Sequence, residues 1–442
     1  MTNSRKIVFE ALIKVEEGGY SNIVISNALD KNELSDRDRA FSSALFYGVL
    51  ERAITLDKII SEFSTQKPSK LSVYVKTALR MGIYQLVFMD KIPDSAAVNE
   101  SVNLVKRTKA SRYSGFVNGV LRNISRTDKE KLLDFSFVQQ TDKRLSFEYS
   151  VPDWMAGLFV GNYGESFTRD MLFAFNGRNS TVLRVNTLKI RPEDFVNELI
   201  NNGISAEISD ICKTAVIVEG SGAVDRIYGY NEGLFHVQDT ASQLCCEALG
   251  VKPGMRLLDI CAAPGGKSFT LAENLKNDGE ILSLDLHESK LPLITGGARR
   301  LGITCIKTFK NDATVFNGEL GLFDAVLCDA PCSGLGIIAK KPEIRYKNVA
   351  ILDFLSDMQY VILCNASRYV KRGGRLVYST CTLNPEENER TAERFLSENR
   401  EFKPVEILPH IKRAFKTADN MLTLFPNIHD TDGFFISAFE RK

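Results

Sequence analysis

The sequence predicts a multidomain chain with an all-α amino-terminal bundle, a small α+β insert and a carboxyl-terminal α/β domain. Its 442 residues correspond to about three domains at roughly 150 residues each. Apolar residues recur at helical spacing up to about residue 125, and strand-like runs alternate with helical segments from Met255 onward. We therefore expect domains at residues 1–130, 145–235 and 236–442.

The amino-terminal segment predicts helices throughout. Its start, "MTNSRKIVFEALIKVEEGGYSN", carries apolar residues at helical spacing with charged residues between them, which indicates an amphipathic helix and no signal peptide. Ser35 followed by Asp38 resembles a capping box. The runs "SKLSVYVKTALRMGIYQLVFMD" and "SAAVNESVNLVKR" follow, with turns at Pro68 and Pro93. These features favour a compact helical bundle.

The pattern changes after a helix start near Pro152. The strand-like runs "TVLRVNT" and "TAVIVEG" flank the helical run "RPEDFVNELINNG", which predicts the α+β insert. Five further strands are predicted in the last domain: "MRLLDI", "EILSLDL", "TCIKTF", "FDAVLCDA" and "RLVYSTC". Their alternation with helices predicts a Rossmann-like parallel sheet, in which ligands bind beyond the carboxyl ends of the strands.

Composition indicates a soluble cytoplasmic protein. Hydrophobic residues make up 44% and charged residues 25% of the chain, and no uninterrupted apolar run reaches the ~18 residues of a membrane span. The nine cysteines show no paired C-x-x-C spacing, which argues against a disulfide framework and against a zinc site. We therefore expect reduced cysteines and no metal.

One basic run departs from the near-neutral net charge of +1. From Ser101 to Thr127 there is no acidic residue. The cations of this basic run are Lys106, Arg107, Lys109, Arg112, Arg122 and Arg126. The run is either a solvated helix face or a surface that contacts the phosphates of a nucleic acid.

The stretch "LLDICAAPGGKS", Leu257 to Ser268, almost matches the phosphate-binding loop G-x-x-x-x-G-K-[ST]. Cys261 stands where the first glycine of that loop belongs. One interpretation is a nucleoside triphosphatase in which Asp329 helps to hold magnesium. The other is that the loop binds a different ligand.

Aspartates at the predicted strand ends favour the second interpretation. Asp285 follows Gly266 by about 20 residues, where dinucleotide-binding folds place an acceptor for ribose hydroxyls. Asp312 can accept a hydrogen bond from an adenine amino group. Each of these aspartates alone is also consistent with a helix cap. Together with Asp259 and Asp329 at the same edge, they favour a nucleoside ligand without a triphosphate.

Two cysteines also follow predicted strands at this edge: Cys332 in "DAPCSG" and Cys381 in "YSTCTLNPEENE". Most cysteines are small buried hydrophobes. Cys381, however, precedes "NPEEN", a predicted helix start whose positive end would lower a thiol pKa. Gly334 and Gly336 permit close backbone approach after Cys332.

The motifs "DICAAPGGK", "DAPCSG" and "STCTLNPEENE" resemble the signature blocks of S-adenosylmethionine-dependent RNA cytosine carbon-5 methyltransferases. "GLFHVQDTASQL", Gly233 to Leu244, and "DGFF", Asp432 to Phe435, fit the same family. The amino-terminal bundle resembles the RNA-binding fold of the antitermination factor NusB. Together these features resemble bacterial 16S ribosomal RNA methyltransferases of the Sun/Fmu type, over essentially the whole chain.

The resemblance implies a covalent mechanism. Cys381 would add to cytosine carbon 6, Asp329 would hydrogen-bond the base, and Cys332 would serve product release. The implied partner is 16S ribosomal RNA, free or in a partly assembled small subunit, bound by a monomer without metal or membrane. Lys340 and Lys341 stand where relatives often carry two arginines, and lysine lacks arginine's planar bidentate geometry. The implied S-adenosylmethionine ligands are Cys261, Ala262, Ala263, Pro264, Gly265, Gly266, Lys267, Asp285, Asp312 and Asp329.

Alternatives remain at this point. The same chemistry could act on tRNA or another RNA, or the chain could be a non-enzymatic assembly or antitermination factor. Cys332 as the nucleophile is also chemically reasonable, since related enzymes that methylate DNA cytosines attack from the Pro-Cys position. A triphosphatase is the most distant alternative.

Overall fold

The computed structural model describes residues 4–177, 180–220 and 222–442. The chain forms two compact units. The first comprises Met1–Asn176 and Ile338–Lys347, and the second comprises Gly177–Ile337 and Asn348–Lys442. The predicted domains at 1–130, 145–235 and 236–442 stay a prediction.

The first unit is helical, as the apolar spacing predicts. The Ser35 hydroxyl accepts from the Asp38 amide at 3.1 Å, which confirms the predicted cap. Pro152 precedes the first residue of a helix, also as predicted. The first three residues of the predicted first helix lie outside the described residues. The helices are α1 (Ser4–Glu16), α2 (Ser21–Asp30), α3 (Asp36–Glu51), α4 (Ala53–Phe63), α5 (Val73–Phe88), α6 (Asp94–Lys106), α7 (Ser114–Ser125), α8 (Lys129–Leu132), α9 (Thr141–Tyr149), α10 (Asp153–Tyr163) and α11 (Glu165–Gly177).

The segment Ile338–Lys347 supplies a buried cation to the interior of the first unit. The Arg345 side chain is 1% exposed. Its Nη1 atom donates to the backbone oxygens of Glu51, Tyr149 and Ser150 at 3.1, 2.9 and 2.9 Å. Burial lowers the pKa of Arg345 to about 10, so the guanidinium remains charged at neutral pH. This segment is therefore part of the helical unit although it lies far from it in sequence.

The second unit begins with a four-stranded antiparallel sheet in the order β2-β3-β1-β4. The two predicted strands and the helix between them are confirmed. Two strands were not predicted, β2 and β4, which are short and lack a clear apolar alternation. The elements are β1 (Thr181–Val185), α12 (Pro192–Asn201), β2 (Ser205–Ser209), β3 (Cys212–Glu219) and β4 (Phe235–Val237).

A larger sheet follows, in the order β10-β12-β9-β8-β5-β6-β7, with β11 paired to β12. The five predicted strands, β5 to β9, are parallel, as expected. The antiparallel strands β10, β11 and β12 were not predicted. The elements are α13 (Thr240–Ala248), β5 (Arg256–Asp259), α14 (Gly266–Asn274), β6 (Glu280–Asp285), α15 (Leu291–Leu301), β7 (Ile306–Lys310), β8 (Phe323–Asp329), α16 (Leu352–Arg368), β9 (Val370–Thr380), α17 (Glu389–Glu398), β10 (Phe402–Pro404), β11 (Met421–Leu424), α18 (Pro426–His429) and β12 (Phe434–Arg441).

Among the described residues, one helical stretch, Val349–Arg368, is long and apolar enough to cross a membrane by length and composition. It packs against β8 and β9. A helix that covers a sheet in a globular domain has the same composition, so this feature is weak evidence of a membrane span.

Candidate functional site

The site lies at the carboxyl edge of the parallel strands. Asp259, Asp285 and Asp329 are the last residues of β5, β6 and β8. Cys381 directly follows β9, and Asp312 comes two residues after β7. Since β9, β8, β5, β6 and β7 are successive neighbours in the sheet, these five side chains start from one edge. The predicted grouping is confirmed.

The two predicted catalytic cysteines are adjacent. The Sγ atoms of Cys332 and Cys381 lie 3.2 Å apart, and both side chains are half-buried. The hydrogen bond with Cys381, together with burial, raises the pKa of the Cys332 thiol well above its ordinary value. Cys332 therefore keeps its proton at neutral pH. All nine cysteines are free, as expected for reduced thiols.

Asp329 is held between two donors on neighbouring elements. Its Oδ1 accepts from the Ser379 hydroxyl at 2.8 Å, and its Oδ2 accepts from Lys267 Nζ at 2.7 Å. Burial disfavours the charged form of Lys267, but the attraction of Asp329 outweighs it and raises the pKa of Lys267. Ser379, which the sequence reasoning did not identify, thus helps to orient a predicted catalytic carboxylate.

The loop between β5 and α14 follows a tight path. The Ala262 amide donates to the Leu284 carbonyl oxygen at 2.7 Å. Gly265 has φ +114°, and a Cβ there would meet the Phe269 ring at 2.6 Å, so only glycine fits. Burial and the nearby carboxylates raise the pKa of Cys261, which keeps it a neutral thiol. The loop continues through a half-buried Ala263, an exposed Pro264 and Gly266, the first residue of α14.

This geometry argues against a triphosphatase. The Ser268 hydroxyl, which would bind magnesium in such an enzyme, is fully buried and donates to Asp259 Oδ2 at 2.7 Å. Lys267 is bound to Asp329. Asp259 Oδ1 is buried without a hydrogen-bond partner among the described residues, and burial raises the pKa of Asp259 to about 7.

The two proposed nucleoside acceptors differ in their surroundings. The Asp285 side chain is 11% exposed, and its Oδ1 accepts from the His287 amide at 2.9 Å. Asp312 is exposed, and its Oδ1 accepts from the amide and hydroxyl of Thr314 at 2.9 and 2.6 Å. These bonds lower the pKa of Asp312. Asp312 therefore stabilises its own turn, and a ligand role for either residue stays a prediction.

The predicted helix start at "NPEEN" is wrong in position. A turn occupies residues 385–388, and α17 begins at Glu389. Asn388 has φ −110° and ψ −101°, outside the helical region, and its side-chain amide donates to the Thr382 carbonyl at 2.9 Å. The side chains of Glu387 and Asn388 thus bond to residues that flank Cys381. The effect of a helix terminus falls off within its first turn, so the sequence argument for a lowered Cys381 pKa loses its basis.

Close backbone contacts hold the cysteine loops, as the glycines predict. The Gly336 amide donates to the Cys381 carbonyl at 3.0 Å, and the Gly433 amide donates to the Gly336 carbonyl at 2.8 Å. A Cβ on Gly336 would lie 1.8 Å from the Gly433 oxygen. The Asp432 amide donates to Asp239 Oδ1 at 3.1 Å. The motifs "VQD", "PCSG" and "DGFF" therefore meet at one place.

Two further expectations concern ions and surface charge. Within residues 4–177, 180–220 and 222–442, no group of three or more His, Cys, Asp or Glu side chains could hold a metal. All six cations of the basic run are exposed in the first unit, where they lie on α6, on α7, between these helices and, for Arg126, directly after α7. Lys340 and Lys341 are exposed as well.

Comparison with known proteins assigns each part of the chain to a family. Residues 246–440 match the family model for the 16S rRNA methyltransferase RsmB/F. Residues 2–126 match the NusB family, and residues 151–225 match the ferredoxin-like domain of RsmF/B-like methyltransferases.

Full-length relatives have the same organisation. A probable ribosomal RNA small subunit methyltransferase B from Bacillus subtilis is 37% identical over 100% of this chain and 99% of its own. One from Synechocystis is 33% identical over 100% of both chains. The crystal structure of PH0851 aligns with a TM-score of 0.84 at 28% identity, over 100% of this chain and 99% of that one. The chain therefore belongs to the family of ribosomal RNA small subunit methyltransferase B, with a NusB-like helical domain, a ferredoxin-like insert and an α/β methyltransferase domain.

Proposed function

We propose that this protein methylates carbon 5 of a cytosine in 16S ribosomal RNA through a covalent cysteine–cytosine intermediate, with S-adenosylmethionine as methyl donor. The main support is the pair of thiols 3.2 Å apart, beside Asp329 at the same sheet edge. The names of the relatives support ribosomal RNA as the substrate. In this proposal the protein acts in the cytoplasm as a monomer.

The residues at the strand ends fit the proposed methyl donor. S-adenosylmethionine carries hydroxyl and amino groups that can donate to carboxylates, and a sulfonium cation that a carboxylate attracts. Asp259 Oδ1 is a buried oxygen without a hydrogen-bond partner among the described residues. The donor supplies an electrophilic methyl group when bound. In this proposal it is held by Asp285, Asp312, Asp329 and the loop from Cys261 to Lys267, with Gly265 allowing close backbone approach.

Cytosine carbon 5 is a weak nucleophile because the ring is aromatic. When the Cys381 thiolate adds to carbon 6, the S–C bond forms and the electron pair of the 5,6 double bond makes carbon 5 nucleophilic. Asp329, fixed by Ser379 and Lys267, hydrogen-bonds the ring nitrogen and exocyclic amine as the adduct forms.

Product release reverses the addition. After carbon 5 has accepted the methyl group, its proton leaves, the 5,6 double bond forms again, and the S–C bond breaks with its electron pair returning to Cys381. Cys332 serves this step. The resemblance of the "DAPCSG" and "STCTLNPEENE" motifs to those of RNA cytosine carbon-5 methyltransferases supports this division of labour.

The RNA must present an unstacked cytosine, from a single strand or by base flipping. The exposed basic run of the first unit is the proposed phosphate-binding surface. The match to the NusB family supports this assignment.

The proposal is tested with ribosomal RNA from cells with and without the gene. Bisulfite sequencing locates 5-methylcytosine, and we expect one 16S position to lose it with the gene and regain it on complementation. Complementation with Cys381→Ala is the matched control and should restore nothing. Loss of methylation from tRNA with 16S RNA unchanged would indicate the alternative substrate, and no change in any RNA would indicate a non-enzymatic factor.

A further inference from the structure

We infer that Glu387 is a positioning residue whose single carboxylate sets the separation of Cys332 and Cys381. The inference deepens the proposed function and rests on it for its catalytic consequence. Glu387 lies in the turn that replaces the predicted helix start, and its side chain is fully buried.

One side of the carboxylate group binds the Cys332 loop. The backbone amide of Ser333, the next residue, donates to Glu387 Oε2 at 2.9 Å. The Ser333 hydroxyl donates to Oε1 at 2.6 Å. Two bonds from one residue to both carboxylate oxygens fix the position and orientation of the peptide that follows Cys332.

The same carboxylate also binds the Cys381 loop. The side-chain amide of Asn384 donates to Glu387 Oε1 at 3.1 Å, and the Thr382 hydroxyl donates to the same oxygen at 3.4 Å. Thr382 directly follows Cys381, and its hydroxyl lies 2.7 Å from the Ser333 hydroxyl. Ser333 and Thr382, the residues that directly follow the two cysteines, thus bond to Glu387 and to each other.

Helix α16 and strand β9 hold Glu387 in place. Gln359 Nε2 donates to Glu387 Oε2 and to the Pro331 carbonyl, both at 2.9 Å. The Tyr378 hydroxyl donates to the Glu387 carbonyl at 2.5 Å. The helix α16 therefore anchors the carboxylate of Glu387, and the strand β9 anchors its backbone carbonyl.

The donors around the carboxylate group are neutral hydroxyls and amides. Hydrogen bonds to an ionised acceptor are roughly twice as strong as bonds between neutral groups, and a buried network that loses one acceptor leaves costly unpaired donors. Glutamine at position 387 would present an NH₂ group to donors on one side, whichever way its amide is turned. Glu387→Gln should therefore separate the two loops while leaving both thiols intact.

Thiol cross-linking measures this separation without any catalysis. Diamide oxidises two neighbouring thiols to a disulfide and takes up both hydrogens, and peptide mass mapping of the full chain identifies the Cys332–Cys381 product. We expect the Glu387→Gln variant to cross-link at least roughly tenfold more slowly than wild type. The loss of a hydrogen bond to a charged group corresponds to a factor of about this size. The matched control is Glu386→Gln, whose carboxylate is 54% exposed and which should cross-link like wild type.

Kinetics then separate positioning from binding. With RNA substrate, Glu387→Gln should lower kcat by roughly tenfold or more with little change in KM, because the proposed phosphate-binding residues are those of the basic run in the first unit. If Glu387→Gln does not fold by circular dichroism, Ser333→Ala replaces it, since it removes one donor and keeps the backbone amide. Ser333→Ala should slow cross-linking by a smaller factor.

The results distinguish the two proposals. Cross-linking at the wild-type rate in the folded Glu387→Gln or Ser333→Ala variant would overturn the role of Glu387. Slower cross-linking in a protein whose wild-type form neither methylates RNA nor forms an adduct would leave the positioning role standing and reject the proposed function.

Discussion

The Cys332 and Cys381 sulfur atoms lie 3.2 Å apart because the strands that precede them are parallel neighbours. Asp329 on β8 pairs in register with Ser379 on β9. Cys332 follows Asp329 by three residues and Cys381 follows Ser379 by two, so the register of the sheet brings the thiols together. A one-residue shift would move side chains to the opposite face of the sheet.

The first prediction separates the roles of the cysteines. Cys381→Ala should abolish methylation and form no adduct, because no thiolate remains to attack carbon 6. Cys332→Ala should methylate its RNA but remain tethered to it, which appears as a protein–RNA species that survives denaturing electrophoresis. An adduct from Cys381→Ala, with none from Cys332→Ala, would reverse the assignment.

The second prediction concerns the methyl donor. Asp285→Ala should weaken S-adenosylmethionine binding by ~1–3 kcal/mol, the usual worth of a charge-assisted hydrogen bond. Isothermal calorimetry measures the affinity. Asp278→Ala is the control, because Asp278 is exposed and precedes β6 at its opposite end. If Asp285→Ala and Asp278→Ala bound S-adenosylmethionine with equal affinity, Asp285 would be excluded from the binding site.

The third prediction concerns RNA binding by the first unit. Alanine at Lys106, Arg107, Arg112 and Arg122 together should weaken RNA binding and flatten its salt dependence, by up to ~0.7 in the logarithmic slope for each phosphate that is no longer neutralised. Fluorescence anisotropy between low and moderate salt gives the slope. Alanine at the exposed pair Lys67 and Lys70 is the control. An unchanged slope in the fourfold variant would mean that the basic run is a solvated face.

The fourth prediction is a pH dependence of stability. Burial raises the folded-state pKa of Asp259 to about 7 from a reference value of 3.8. Between these values the unfolded chain loses the proton that the folded chain keeps, so stability falls as pH rises, by up to ~1.4 kcal/mol per pH unit. Urea unfolding at several pH values should show this slope in wild type relative to Asp259→Asn, levelling above pH 7. If the free energy of unfolding changed with pH in the same way in wild type and in Asp259→Asn, the raised pKa of Asp259 would be contradicted.

Periodicity and motif spacing were sufficient to predict the site's location. Alternating elements predicted five parallel strands, and their common edge follows from that direction alone. The residues Asp329, Cys332 and Cys381 could be placed there because each closes or follows a strand whose buried run is plain in the sequence.

The supporting contacts could not be predicted because they depend on tertiary neighbours. The "NPEEN" run has the composition of a helix start, but Asn388 bonds across to Thr382 and delays the helix. Glu387 resembles an ordinary first-turn acid in sequence, and only the approach of the Ser333 loop reveals its bonds. Strands β10 to β12 were not predicted, and they add an antiparallel edge to the sheet.

The buried Arg345 has a consequence for how the protein is made. The first segment of the helical unit ends at Asn176, yet the side chain that binds the Glu51, Tyr149 and Ser150 carbonyls comes from Ile338–Lys347. At ~5–20 residues per second of translation, a nascent chain waits roughly 10–30 s between completing those helices and receiving this residue. During that interval the helical unit has backbone acceptors without their native donor, and its final packing awaits synthesis of the segment that follows Cys332.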